Sequence, residues 1–424
     1  MISFSVQSFG CRVNQAESFA WVSEFQRRGV RFHKDHSRSD VILVNTCTVT
    51  HRADSDVRMF IRKIQRTNPN ARLVLTGCFA ERAREELASV SQIWKIIPNS
   101  EKDDLCQRLF PDAEPDEASY VTPYRSRALV KIQDGCDYGC RFCVVPSVRG
   151  QSRSIPKEGV VKQVRDCVAQ GFREIVLTGV HLCLYGRDLK PRRNLLDLLE
   201  ELENVSGLKH LRLSSLDPRL LNEDLLDHIT SSSRVCPHFH LSLQSGSDRV
   251  LRSMGRAIHT DAYQRILGVL HEKLPMAALG ADILVGFPGE NNRDFEHTYE
   301  FLDSSPLTYL HVFAYSPRPG TPAADWPQVK DRVKFERASL LRRLSLTKNR
   351  RFRQLLLDRE WEGIVIKKQR AGAHILTSNY IDVDVPFSPF EEREAVNVRI
   401  TEVSQDRTSG EVIKNGVAQC RPSA

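Results

Sequence analysis

His238-Phe239-His240-Leu241-Ser242-Leu243-Gln244 has polar residues at every even position and apolar residues at every odd one. A strand has a period of two, so the polar and apolar sets lie on opposite faces. His210, Arg212 and Ser214 alternate in the same way with Leu211 and Leu213. Both segments belong to a series of six predicted strands: Ala128–Gln133, Glu174–Thr178, Lys209–Ser214, His238–Gln244, Ala281–Val285 and Tyr309–Tyr315. Helical patterns fill the gaps, near residues 157–170, 194–205, 219–231, 260–273 and 292–304. Successive strand–helix units of this kind fit a doubly wound sheet or a barrel-like sheet with its βα loops on one face. The polar face favours the barrel. Closed barrels normally fill with branched aliphatics, so a polar inner face points to a cavity for a polar ligand; the other reading is that these groups satisfy one another in a wet interior.

Upstream, residues 1 to about 110 repeat strand and helix, with strands at Ser3–Gln7, Val41–Asn45 and Arg72–Thr76. Val41-Ile42-Leu43-Val44 is apolar on both faces, as in a parallel sheet covered on both sides. Residues 111–126, with Pro111, Pro115 and Pro123 among acidic and small residues, lack periodicity and read as a linker. Downstream, residues 331–357 form a long basic helix with nine Lys or Arg between Arg332 and Arg353. Short alternating stretches follow at Trp361–Lys367, Ile375–Val385 and Val396–Val403, a small all-β module. The expected architecture is α/β: a parallel α/β domain over 1–110, a linker over 111–126, a partial (βα)6 barrel over 127–350 and a small β-barrel over 351–424.

The chain has 424 residues, 41% hydrophobic and 27% charged, which excludes disordered, collagenous and low-complexity classes. No apolar run reaches the ~18–20 residues of a spanning helix, and Met1–Val6 lacks a basic region before an apolar one, so no secretory signal is readable. A cytoplasmic protein without a membrane partner is expected. The net charge of +8 permits a polyanionic partner without requiring one.

Eleven cysteines carry the strongest chemical signal. In a reducing compartment they favour metal binding or catalysis over disulfides. Gly135-Cys136-Asp137-Tyr138-Gly139-Cys140-Arg141-Phe142-Cys143 lies just past the first strand of the second domain, where βα loops build active sites. Three thiolates holding four irons leave one iron open to a small chelating ligand. Three cysteines plus a histidine around zinc are the competing reading. The spacing does not match a paired zinc ribbon, and zinc leaves the polar inner face without a purpose. Cys11, Cys47 and Cys78 each follow a strand of the first domain. In a parallel sheet their loops leave the same edge, so they read as a second three-cysteine centre rather than as buried packing. Cys106, Cys167, Cys236 and Cys420 read as structural, and Cys183 is left open.

Cys136–Cys143 resembles the cluster motif of radical S-adenosylmethionine (SAM) enzymes. Gly10-Cys11-Arg12-Val13-Asn14-Gln15, Asn45-Thr46-Cys47-Thr48-Val49-Thr50 and Thr76-Gly77-Cys78 extend the resemblance to the methylthiotransferases. It continues through Leu177–His181, Leu243–Ser247, Val285–Glu290 and Tyr315–Thr321, and the C-terminal module resembles the RNA-binding TRAM domain. Arg12-Val13-Asn14 and Asn45–Thr50 look most like the branch acting on N6-threonylcarbamoyladenosine (t6A) in tRNA. The isopentenyladenosine branch, whose first cysteine is typically followed by Gln-Met-Asn, and the branch modifying a ribosomal-protein aspartate are the alternatives, with a zinc-stabilised, non-catalytic RNA-binding protein outside the family.

The resemblance implies a 4Fe-4S cluster on Cys136, Cys140 and Cys143 that binds SAM, and an auxiliary 4Fe-4S cluster on Cys11, Cys47 and Cys78 that presents sulfur. Sulfur and a methyl group would enter at C2 of t6A at position 37, in the anticodon loop. That carbon bears no acidic hydrogen, so the cofactor must supply the chemistry while the protein positions and shields it. Phe142, Gly179, Ser215 and Gln244 are the implied SAM contacts. Arg350, Arg351 and Arg353 are candidate RNA contacts, since Lys and Arg gain affinity by displacing phosphate counterions. An external electron donor and a sulfur donor are implied without being identified. Cys183 stands where related sequences usually have glycine.

Overall fold

The computed structural model describes residues 2–111, 125–369, 372–386 and 389–413. Most of the expected linker, and Cys420, lie outside the described residues. Near the N-terminus, strands Ser3–Ser8, Arg31–Phe32, Val41–Thr46, Arg72–Gly77 and Ile93–Ile96 form one parallel sheet, in the spatial order second, first, third, fourth, fifth. Every residue of Val41–Thr46 is buried, because helices cover both faces. Trp21, Val22 and Phe25 of helix Arg12–Arg27 pack on Phe4, Val41 and Leu43. Val57, Ile61 and Ile64 of helix His51–Thr67 pack on Ile42, Val44 and Leu73. Apolar residues at i, i+4 and i+7 give that second helix one apolar stripe on a polar cylinder.

Six parallel strands follow: Ala128–Asp134, Glu174–Gly179, His210–Leu213, His238–Gln244, Ala278–Val285 and Tyr309–Ala314. The first three form one ladder and the last three another, joined by the parallel bridges Leu211–Val235 and Leu216–Leu241. The result is a curved, open sheet with helices outside, a partial (βα)6 barrel. Helix Asp331–Gln354 lies along the last strand, where Ser345 Oγ accepts from the Leu310 amide at 2.8 Å. The basic helix thus closes a sheet edge. No helix among the described residues is long and apolar enough to cross a membrane.

Strands Glu360–Gln369, Gly372–Thr377, Asp382–Val385, Ala395–Val403 and Thr408–Ile413 close into a small barrel. The predicted single strand Ile375–Val385 is broken at Ser378-Asn379-Tyr380, where the Thr377 hydroxyl donates to Asn379 Oδ1 at 2.7 Å and Tyr380 has φ +68°. Ser and Asn capture nearby backbone and side-chain groups, which favours a turn over a continuous strand. This turn inserts into the floor of the six-stranded sheet. Arg212 donates to the carbonyls of Ser378 and Thr377 at 3.0 and 3.3 Å, and Asn379 donates to the Met276 carbonyl at 3.2 Å.

Behind that turn, Arg212 holds Glu174 through two bonds of 2.7 and 3.1 Å. Burial alone would raise the Glu174 carboxyl, but Arg212 and Arg127 override it and bring it down to about 2. A folded-state value below the ordinary 4.5 stabilises the protein above that pH, and the stabilisation disappears as pH falls from 4.5 towards 2. About 3 kcal/mol is expected to be lost across that window. Urea unfolding as a function of pH should show it, and the Glu174→Gln variant should lack that part of the slope.

Candidate metal centres and substrate cavity

The loop Cys136–Cys143 leaves the carboxyl end of strand Ala128–Asp134. Gly135 makes the departure possible: its φ is +70°, and a Cβ there would lie 1.9 Å from the Gln151 carbonyl oxygen. The Cys136 amide donates to the Gly150 carbonyl at 3.1 Å, and the Arg141 amide to that of Met254 at 3.0 Å, fixing the loop at both ends. Burial pushes the Cys143 thiol up to about 12, and Cys140, Cys136 and Cys78 nearby add to the rise.

Cys11, Cys47 and Cys78 stand at the carboxyl ends of three neighbouring strands, at the N-cap of helix Arg12–Arg27, just past Thr46, and at the start of the short helix Cys78–Arg82. Gly10 lets the first two loops meet, since with φ +82° its Cβ would lie 2.4 Å from the Cys47 Sγ. Burial again raises Cys47 to about 12, with Cys11 and Cys78 adding to it. Cys78 Sγ accepts from the buried Arg149 Nε at 3.3 Å.

One cavity of about 770 Å³ reaches members of both triplets. Cys11 and Cys47 line one wall, Cys143 and Phe142 another, and Arg212, His238, His240, Asp282 and Tyr309 the inner face of the sheet. The alternating polar residues therefore surround a cavity. They also bond one another: His238 Nε2 and His240 Nδ1 meet the Tyr309 hydroxyl at 2.8 and 3.1 Å, and His240 Nε2 lies 2.9 Å from Asp282.

The thiols suit a multi-iron cluster better than a single ion. Two sulfurs on one zinc can be at most about 4.6 Å apart, twice the metal–sulfur distance. Among the described residues, the sets of three ligand atoms all within 4.8 Å of one another are Glu174, His210, Cys236 and His240, Asp282, His311. Neither includes either cysteine triplet. Neither triplet is drawn together tightly enough for one ion, and each has a member on the cavity, an arrangement that fits a four-iron cluster with an open site.

Of the four implied SAM contacts, Phe142, Ser215 and Gln244 line the cavity. Gln244 has φ +82°, beside an irregular register in its ladder, a conformation that costs a non-glycine residue of order 1 kcal/mol or more and clusters at functional sites. Gly179 packs on Gln133 instead, where a Cβ would be 3.0 Å from Oε1.

A polar group missed in the sequence stands beside the Cys136–Cys143 loop. Asp217 accepts from Arg219 Nε at 2.9 Å and lies 3.0 Å from His181 Nε2, while the Arg219 guanidinium sits 4.0 Å from the Tyr138 ring centroid. Burial opposes ionisation of Asp217, but its bonds to His181 and Arg219 and the charge of Arg256 hold it well below the usual carboxylate range. Asp217-Pro218 after a strand was the available signal. Cys183 belongs to this arrangement structurally: it is buried, pushed up to about 12, and its Sγ accepts from the Asp217 amide at 3.4 Å. Cys106, Cys167 and Cys236 are buried away from both triplets.

The candidate RNA residues separate. Arg350 and Arg351 are exposed. Arg353 is buried and donates to the carbonyls of Arg407 and Gln405 at 2.9 and 2.6 Å, so it pins the helix to the C-terminal barrel and does not face RNA. Lys348 is likewise buried on the carbonyls of Asp303 and Ser305.

The partial barrel with its three-cysteine loop is the fold of radical SAM enzymes. Residues 130–302 match the radical SAM superfamily, and residues 3–97 match an uncharacterized protein family, UPF0004. A solved radical SAM methyltransferase, TsrM from Kitasatospora setae, superposes with a TM-score of 0.56 at 14% identity, covering 76% of this chain and 77% of that one, a likeness of fold. Threonylcarbamoyladenosine tRNA methylthiotransferase MtaB of Aquifex aeolicus is 36% identical over 89% of this chain and 95% of its own length. The Chlamydia pneumoniae protein of the same name is 31% identical over 97% of this chain and 98% of its own, and that of Bacillus subtilis 34% over 81% and 80%. The chain belongs to this methylthiotransferase family. Membership in the radical SAM superfamily brings with it SAM and a 4Fe-4S cluster.

Proposed function

We propose that this protein is a tRNA methylthiotransferase that converts t6A at position 37 to its 2-methylthio derivative. The observation that carries this is that one cavity is lined by members of both cysteine triplets, Cys143 of one and Cys11 and Cys47 of the other. Cys136, Cys140 and Cys143 would hold the SAM-binding cluster, and Cys11, Cys47 and Cys78 a second 4Fe-4S cluster. Together with SAM, these groups would supply radical hydrogen abstraction at adenine C2 and the sulfur and methyl group that replace the hydrogen.

The chain's own part is placement and shielding. The Gly135 turn and the bond from Arg141 to Met254 fix the first triplet against the sheet. Phe142, packed with Val250, Met254 and Phe287, gives the cavity an apolar wall on which an adenine can stack. Tyr380, from a turn of the C-terminal barrel, lines the cavity, and the walls would limit the entry of water. A reactive carbon-centred species requires such exclusion, because side reactions compete wherever solvent enters.

If the triplets divide the labour this way, Cys47→Ser should keep reductive cleavage of SAM to 5′-deoxyadenosine and lose sulfur insertion. Chromatography of both products from one reconstituted sample checks this. Loss of both reactions with the first cluster intact would contradict the division.

The tRNA would be gripped by exposed Arg342, Arg343, Arg350 and Arg351 on the long helix and by the adjoining small barrel. Replacing Arg350 and Arg351 with Gln should weaken binding and reduce the slope of log affinity against log salt by about two. SAM cleavage without tRNA should be unchanged. An unaltered salt slope would remove this face from the interface.

A further inference from the structure

Four guanidiniums line the cavity: Arg12, Arg127, Arg212 and Arg318. Arg127 and Arg212 share Glu174, and Arg318 is paired with Asp54 at 2.5 Å. Arg12 has no carboxylate partner among the described residues. Its Nη1 donates to Gln15 at 3.3 Å and its Nη2 to the Tyr380 hydroxyl at 2.7 Å, which leaves donors of its fork for a ligand. Tyr380 is itself held: its ring stacks on His238 with centroids 4.0 Å apart, and the Arg212 guanidinium lies 5.1 Å from its centroid. A residue of the C-terminal barrel thus aims a cation of the first domain into a cavity built on the second.

A separate observation points to the same lobe. His238 is only 6% exposed, yet its Nδ1 is buried without a hydrogen-bond partner, and Ser214 Oγ on the neighbouring strand is also unpartnered. Both residues line the cavity. Buried polar groups are normally satisfied, so unpartnered ones facing a cavity mark where a ligand supplies the partner. The combination suits a ligand carrying a carboxylate together with a hydroxyl or carbonyl. An adenosine with an apolar N6 substituent would leave the cation and both polar groups unmet.

We propose that Arg12, oriented by Tyr380, binds the carboxylate of the threonyl group on the substrate's N6 position and determines substrate choice, with His238 and Ser214 meeting the polar remainder of that side chain. This rests on the t6A reading above. Arg12 is the specificity-determining residue, and Tyr380 is a positioning residue that acts through it. A fork of N–H donors on a carboxylate is geometrically selective as well as strong.

The test compares binding of three anticodon stem-loop RNAs: one with t6A at position 37, one with its threonyl carboxylate as the methyl ester, and one with plain adenosine. The wild-type protein is expected to bind the free acid roughly 10- to 100-fold more tightly than the ester, the range of a charge-assisted bond. Arg12→Gln should bind acid and ester alike. Tyr380→Phe, which alters none of the six cysteines, should narrow the ratio while leaving iron content unchanged. Retention of the wild-type ratio in Arg12→Gln would overturn the proposal, as would a wild-type protein indifferent to the ester. If the wild type prefers t6A to adenosine but ignores esterification, the carboxylate site is wrong and the substrate reading stands. If it does not distinguish t6A from adenosine at all, the substrate reading itself fails.

Discussion

Cys140→Ala is expected to abolish 5′-deoxyadenosine formation completely and to lower iron content from about eight per chain to about four, the sum of one four-iron cluster. Cys140 lies in a loop also held from within the second domain, through the bonds of Cys136 to Gly150 and Arg141 to Met254. Its loss should therefore empty one centre and spare the other. Iron and sulfide analysis after anaerobic reconstitution reads the first effect, and chromatography of the SAM products the second. Residual cleavage in a variant containing only four irons would place the SAM-binding cluster on the other triplet.

Arg149→Met should cost about 3–5 kcal/mol, the usual result of breaking a buried charge network from one side. Arg149 is buried where the first domain meets the second. It donates to Glu17 at 3.1 Å, to Asp134 at 2.6 Å, to Asn14 at 2.5 Å and to Cys78 Sγ at 3.3 Å. Burial alone would raise Glu17, but Arg149, Lys102 and Lys131 hold its carboxyl well below the ordinary range. Removing Arg149 leaves Glu17 and Asp134 less compensated and takes the donor from Cys78. Urea unfolding should show the loss, with faster hydrogen exchange in Arg12–Arg27 and Ala128–Asp134, the two elements it ties together. A change under about 1 kcal/mol would mean that Lys102 and Lys131 suffice to hold the seam.

Strands and helices of the six-stranded sheet were legible because apolar periodicity is local: Thr260–Lys273 and Asn292–Ser304 have the bounds expected from pattern alone. The positions of Cys11, Cys47 and Cys78 at one sheet edge were legible for a topological reason, since successive parallel strands return their carboxyl ends to the same side. What joins the domains was not legible. Arg149 and Glu17 are 132 residues apart and Arg318 and Asp54 are 264 apart, and nothing near either arginine marks it as buried. Arg353 failed for the related reason that a run of positive charge does not reveal which members a helix turns inward. The break at Ser378-Asn379-Tyr380 carried turn-forming residues but sat inside strong alternation, so its insertion beneath the cavity had no sequence signature.

The most direct test of the whole account is mass spectrometry of nucleosides from t6A-containing tRNA after incubation with the anaerobically reconstituted protein, SAM, a reductant and sulfide. The predicted result is conversion of t6A at position 37 to its 2-methylthio form, absent with Cys47→Ser and with Cys140→Ala. SAM cleavage by a fully iron-loaded protein with t6A left unchanged, or methylthiolation of a different nucleoside, would contradict it.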